Sequence, residues 1–222
     1  MSKWEGFYGI IKPKGPTSHD IIDRLREITG VRKIGHAGTL DPMASGVLVV
    51  AIGRSYTKKI SKYRKAEKEY EAKVELGKRS DTDDAEGNLE VTNPGEMPTK
   101  EEVENELLKF KGLITQKPPI YSAVKINGTP SYKLARQGKN PSPPPRRVEV
   151  KDIKLKEYNY PLVDIWIKTG SGVYIRSIAR DLGENLSTGG ILTELTRTRV
   201  GDFTLENSYS LKGFKKEKPY IS

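Results

Sequence analysis

One carboxylate in this chain sits where a reactive group would be held in place. Asp41 lies within Gly35-His36-Ala37-Gly38-Thr39-Leu40-Asp41-Pro42-Met43-Ala44-Ser45-Gly46, a stretch punctuated by glycines and one proline. Gly35, Gly38 and Gly46 allow backbone angles or close approaches that a side chain forbids, and Pro42 biases Asp41 toward an extended conformation. A carboxylate so held could serve as a nucleophile or a general base. Asp-Pro also occurs in ordinary turns, so position alone leaves a catalytic and a turn-capping aspartate both open.

Other chemistries are bounded by composition. The chain has no cysteine, which excludes disulfides and thiolate metal sites, and only His19 and His36 offer imidazoles. A metal site and a metal cofactor are therefore not expected. The 222 residues carry a formal net charge of +10, which favours a polyanionic partner: RNA first, with DNA or an anionic membrane surface compatible with charge alone. The longest apolar run, Val47 to Ile52, is far too short to cross a bilayer, and a cytoplasmic location is expected.

The elements that must position Asp41 follow from the surrounding pattern. Val47-Leu48-Val49-Val50-Ala51-Ile52 is apolar without alternation and predicts a central strand covered on both faces. Upstream, Gly6 to Lys12 reads as a strand. Ser18 to Thr29 reads as a helix, with Thr17 or Ser18 as its N-cap and Gly30 as its stop. Ser55 to Arg64 suggests a basic helix whose lysines either contact a polyanion or are simply solvated. Glu67 to Leu76 alternates strictly and turns Tyr70, Ala72, Val74 and Leu76 to one face. Periodicity leaves Tyr70 either as a core aromatic or as a ring lining a cleft.

Further along, Asp81 to Gly87 reads as a solvated acidic turn, since its glycine is misplaced for a calcium loop. Thr99 with Glu102 predicts a capped helix ending near Gly112, and Tyr121 to Ile126 predicts a strand entering an Asn127-Gly128 turn. Ser131 to Gln137 reads as a short helix and Lys139 to Arg147 as an extended, proline-rich connection. Val163 to Ile167 reads as a strand and about Tyr174 to Leu186 as a helix, before Leu195 to Val200, Phe203 and a lysine-rich tail. Strands and helices mix without βαβ alternation, so an α+β fold with a mostly antiparallel central sheet flanked by helices and loops is expected.

Five blocks recur in order over most of the chain: Lys12-Pro13 with Gly15-Pro16-Thr17-Ser18; Gly38-Thr39-Leu40-Asp41-Pro42; Lys68-Glu69-Tyr70 running to Leu76-Gly77; Tyr121-Ser122-Ala123-Val124-Lys125; and Gly172-Val173-Tyr174-Ile175-Arg176-Ser177. Together they are far more specific than one short motif. In this pattern the chain resembles the TruB family of tRNA pseudouridine synthases.

That resemblance implies the pseudouridine synthase catalytic fold and an isomerase acting without a cofactor on uridine 55 in the T stem-loop of tRNA. It makes Asp41 the catalytic residue and Arg176 the cation that offsets its desolvation. By spacing alone Arg176 could be a solvated helix residue, with Arg180 one turn on as its rival. The target uridine must be extruded from its loop. The resemblance makes His36 the group that stacks in its place, and puts Tyr70 on the target uracil with Tyr174 and Leu195 closing the pocket. The route open to Asp41 is attack on C1′, addition to C6, or removal of a ribose proton. One catalytic domain over 1–222 is expected, without the C-terminal PUA domain common in the family, acting as a monomer. Two rivals remain: a non-catalytic RNA-binding module, and a guide-RNA-dependent relative from ribonucleoprotein particles.

Overall fold

The computed structural model describes residues 3–93 and 95–215; the lysine-rich tail from 216 onward lies outside them. In chain order the elements are β1 (Gly6–Lys12), α1 (Ser18–Thr29), β2 (Ile34–His36), β3 (Ser45–Ile52), α2 (Arg54–Thr57), α3 (Ser61–Lys65), β4 (Lys68–Leu76), β5 (Lys78–Ser80), β6 (Leu89–Val91), α4 (Lys100–Lys109), β7 (Gly112–Gln116), β8 (Lys125–Ile126), β9 (Thr129–Pro130), α5 (Ser131–Arg136), β10 (Arg146–Asn159), β11 (Leu162–Thr169), α6 (Ile175–Asn185), β12 (Gly190–Val200), β13 (Phe203–Thr204), β14 (Tyr209–Ser210) and α7 (Leu211–Phe214). They form two compact units, the first from residues 1–70 and 195–222, the second from 71–194. The class is the expected mixture of helices and a large mixed sheet.

The first unit is organised around β3. β1 runs antiparallel to it from Gly6 opposite Ile52 to Lys12 opposite Gly46, β2 pairs antiparallel from Ile34 to His36, and β12 joins parallel at Ser45 and Gly46. The unbroken apolar run of β3 has a simple cause: alternate residues feed two different cores. Leu48, Val50 and Ile52 pack with Ile10, Ile21, Ile22 and Leu25 beneath α1, whereas Val47, Val49 and Ala51 pack with Ile60, Tyr63 and Val200 on the other face. Each such large side chain contributes about 1.5–3 kcal/mol on burial, so β3 is a firmly packed support for the loop before it.

Helix α1 begins at Thr17 through a reciprocal cap. The Thr17 hydroxyl accepts from the Asp20 amide (3.1 Å), the Asp20 carboxylate accepts from the Thr17 amide (2.7 Å), and Gly30 ends the helix in the left-handed region. The basic helix expected over Ser55 to Arg64 is instead two short pieces, α2 and α3. Ile60 and Tyr63 pack into the second core, and Lys58, Lys59, Lys62 and Arg64 are exposed.

In the second unit the strand order is β4, β11, β10, β7. Tyr70, Ala72, Val74 and Leu76 are buried on β4, as the alternation predicts, and Lys68 is buried as well. Helix α4 opens on the Thr99 and Glu102 capping box, and the Asn127-Gly128 turn joins β8 to β9 with both residues at positive φ. The strand entering that turn is only two residues long. β10, fourteen residues long, was not expected from the sequence. Its pairing with β11 shifts register between Val150 and Asp152 and again between Leu155 and Glu157, so a strict two-residue period is absent.

Candidate active site

The Asp41 loop is pinned at several points from its own unit. Ahead of Asp41, the buried Ser18 hydroxyl accepts from the Leu40 amide and donates to the Leu40 carbonyl, both at 2.9 Å. Behind it, the Pro42 carbonyl accepts from the Gly15 amide at 2.8 Å and from Lys12 Nζ at 3.3 Å. Lys12 is fully buried and also donates to the carbonyls of Pro13 and Pro16, so its charge is spent holding the proline turn against the loop. Asp41 itself is half-buried, and its carbonyl accepts from the Ala44 amide at 3.1 Å.

The loop's far end depends on Gly46. Its φ is +107°, and a Cβ there would lie 2.2 Å from the Arg197 carbonyl oxygen and 2.7 Å from the Arg197 amide nitrogen. Only glycine lets β3 and β12 come this close. Beside this contact the Ser45 and Thr196 hydroxyls lie 3.0 Å apart.

The close approach delivers a group that sequence reasoning missed. The Arg197 side chain, 1% exposed, runs beneath the loop, with Nε donating to the Val47 carbonyl at 2.8 Å and Nη2 to the Gly38 carbonyl at 3.2 Å. Burial pulls its guanidinium below the ordinary arginine value, while the Tyr70 hydroxyl and, more weakly, the Asp41 carboxylate pull it back up. Tyr70, 7% exposed, is thus a buried ring whose hydroxyl favours the charged form of Arg197. Lys68 is a second buried cation, donating to the Arg64 and Ala66 carbonyls at 3.0 and 2.6 Å. Burial, with the nearby Arg197 charge, lowers it to about 8.

His36 is half-buried at the end of β2, opposite Val50. Burial lowers its imidazole below the usual value, with Arg197 and Arg64 adding to the effect and the Gly38 backbone opposing it. A neutral ring suits stacking better than a charged, strongly hydrated one. Leu195 is half-buried on β12, two residues before Arg197. One unit therefore carries Asp41, His36, Tyr70 and Leu195.

Tyr174 and Arg176 belong to the second unit. Tyr174 precedes α6, exchanges two hydrogen bonds with the buried Gln116 side chain at 2.8 and 3.1 Å, and lies beneath the Arg146 guanidinium, 4.8 Å from its ring centre. Arg176 is 5% exposed: Nη1 donates to the Thr82 carbonyl and Nη2 to the Tyr121 carbonyl, both at 2.9 Å, and Nη1 lies 3.4 Å from the Asp84 carboxylate. Arg180 pairs with Asp83 at 2.8 Å. The segment read as a solvated acidic turn is therefore structural. Asp84 is 4% exposed and accepts from the Thr82 hydroxyl and the Glu86 amide, while Asp83 holds a positive φ. Acidic residues in a turn look alike in sequence whether water or an arginine faces them. Among the described residues no group of three or more His, Asp or Glu side chains is placed to hold a metal ion, and no helix is long and apolar enough to cross a membrane.

The fold recurs among solved structures. A chain in the crystal structure of a Cbf5-Nop10-Gar1 complex matches with a TM-score of 0.75 and 29% identity, over 97% of this chain and 55% of that one, so this chain spans about half its length. The TruB family pseudouridylate synthase model for the N-terminal domain matches residues 26–175, and the chain belongs to that enzyme family. It is 43% identical over 216 residues to tRNA pseudouridine synthase B of Mycobacterium sp. (strain KMS), covering 96% of this chain and 72% of the relative. It is 41% identical over 220 residues to tRNA pseudouridine synthase B of Caldanaerobacter subterraneus subsp. tengcongensis, covering 98% and 76%.

Proposed function

We propose that this protein converts uridine 55 in the T loop of tRNA to pseudouridine, with Asp41 as the essential carboxylate. The observation that carries the reading is the pinning of Asp41: a half-buried acid on a loop tied to Ser18, Lys12 and Arg197, on the same unit as Tyr70. Such preorganisation is what a carboxylate needs to meet one atom of a flipped nucleotide. The names of the relatives at 41–43% identity support tRNA as the substrate.

The reaction breaks the bond from C1′ to N1, turns the uracil over and rejoins it through C5. The C5 proton is lost and N1 gains one, so atoms balance without any redox partner. Asp41 acts on the sugar or on C6, and the Tyr70 ring supports the uracil. The family resemblance assigns His36 to the space left by the extruded base, Tyr174 and Leu195 to the uracil, and Arg176 to the charge of the acid. A folded T loop is read by shape, backbone charge and stacking, which suits the net charge of +10. The protein is expected to act in the cytoplasm as a monomer.

The test is to incubate the pure protein with a tRNA transcript, map pseudouridine and follow release of the uracil C5 proton. Modification at position 55 with no added cofactor is expected, and its absence would refute the reading. Asp41→Asn should retain RNA binding and lose turnover. Measurable pseudouridine from that variant removes Asp41 from the central role.

A further inference from the structure

Arg197 is a costly residue to place where it is. A buried guanidinium loses its hydration and is tolerated only when its donors are well matched. At 1% exposure its charge is out of reach of RNA phosphates, so the basic character of the protein does not explain it. Its partners do. Nε binds the carbonyl of Val47 and Nη2 that of Gly38, which are the two sides of the segment containing Asp41. Its charge is also favoured by the Tyr70 hydroxyl, which lies on the same unit. Its backbone, meanwhile, is the surface against which Gly46 closes.

We infer that Arg197 is a positioning residue for the isomerisation, a fork that fixes the Asp41 loop from both sides. This rests on the reaction proposed above. The geometry explains why arginine is required: its fork presents several N–H groups in one plane, whereas a lysine is a single point charge on a flexible stem and cannot span both carbonyls. Lys68, close by on the same unit, has its Nζ committed to the Arg64 and Ala66 carbonyls and does not substitute for that fork.

The inference separates positioning from simple support through coupling. Single-turnover rates, RNA affinity and thermal melting are measured for the wild type, Arg197→Lys, Tyr70→Phe and the double variant on a T-arm hairpin. Arg197→Lys should bind RNA nearly as the wild type does and lose about 100-fold in rate, the scale of a misplaced reacting group. That loss should largely vanish when Tyr70 is already Phe, because the two act as a unit. Unchanged turnover, a loss confined to RNA affinity, or effects that multiply independently would each overturn the inference.

Should the lysine variant fail to fold, the wild type supplies the measurement. In a nitrogen-15 spectrum the Arg197 Nε–H should exchange slowly and shift both on Tyr70→Phe and on hairpin binding; no shift in either case overturns the proposal. An inactive wild type would instead defeat the assigned reaction, which keeps the two failures distinct.

Discussion

Gly46→Ala should be among the most damaging single-methyl additions in the chain. At φ +107° an L-residue adopts a sparsely populated conformation, costing about 1–3 kcal/mol. The new Cβ would also sit 2.2 Å from the Arg197 carbonyl oxygen, far inside contact distance, and the obstacle is backbone in register with Gly46 rather than a flexible side-chain end. Relief requires β3 and β12 to separate, which costs about 1–3 kcal/mol more as overpacking. The sum, about 2–6 kcal/mol, corresponds to a fall in melting temperature on the order of 10 °C for a chain of this size. Because the displaced backbone carries Arg197, single-turnover rate should fall further than the folded fraction does. Gly35→Ala is the control, since its Cβ would meet nothing closer than the Thr57 methyl at 3.8 Å. Urea titration of both variants beside the wild type checks the reasoning. A Gly46→Ala midpoint matching that of Gly35→Ala would refute it.

Two further outcomes follow from buried polar groups. Ser18→Ala removes the hydroxyl that satisfies both the amide and the carbonyl of Leu40; with about 1–3 kcal/mol for each orphaned group, a loss of roughly 2–6 kcal/mol is expected in urea titration, and a loss below ~0.5 kcal/mol would contradict the pinning of the loop. Lys68 titrates at about 8 when folded against an ordinary 10.5. The unfolded chain therefore binds the extra proton between those values, so the group's contribution to stability is fully present above about 10.5 and lost as pH falls to about 8. The stability of the wild type relative to Lys68→Met should rise across that window by at most about 3 kcal/mol, and a flat difference would show that Lys68 is not perturbed.

The amino-acid sequence by itself determined the local features. Glycine and proline punctuation marked the Asp41 loop, the unbroken apolar run marked β3, strict alternation marked β4, and the Thr17 and Thr99 signals marked helix starts. Each is written within a few residues, because caps, turns and strand periods are short-range effects. Only the tertiary structure decided what stands beneath the acid. Arg197 reaches the Val47 carbonyl from 150 positions away, and nothing in Thr196-Arg197-Thr198 distinguishes a buried fork from a solvated surface arginine. The same holds for Asp84, held against Arg176, and for β10, whose bulges erase the period that would have revealed it. A guanidinium or a carboxylate carries no mark of its partner, since that pairing is made by strands and helices brought together from distant parts of the chain.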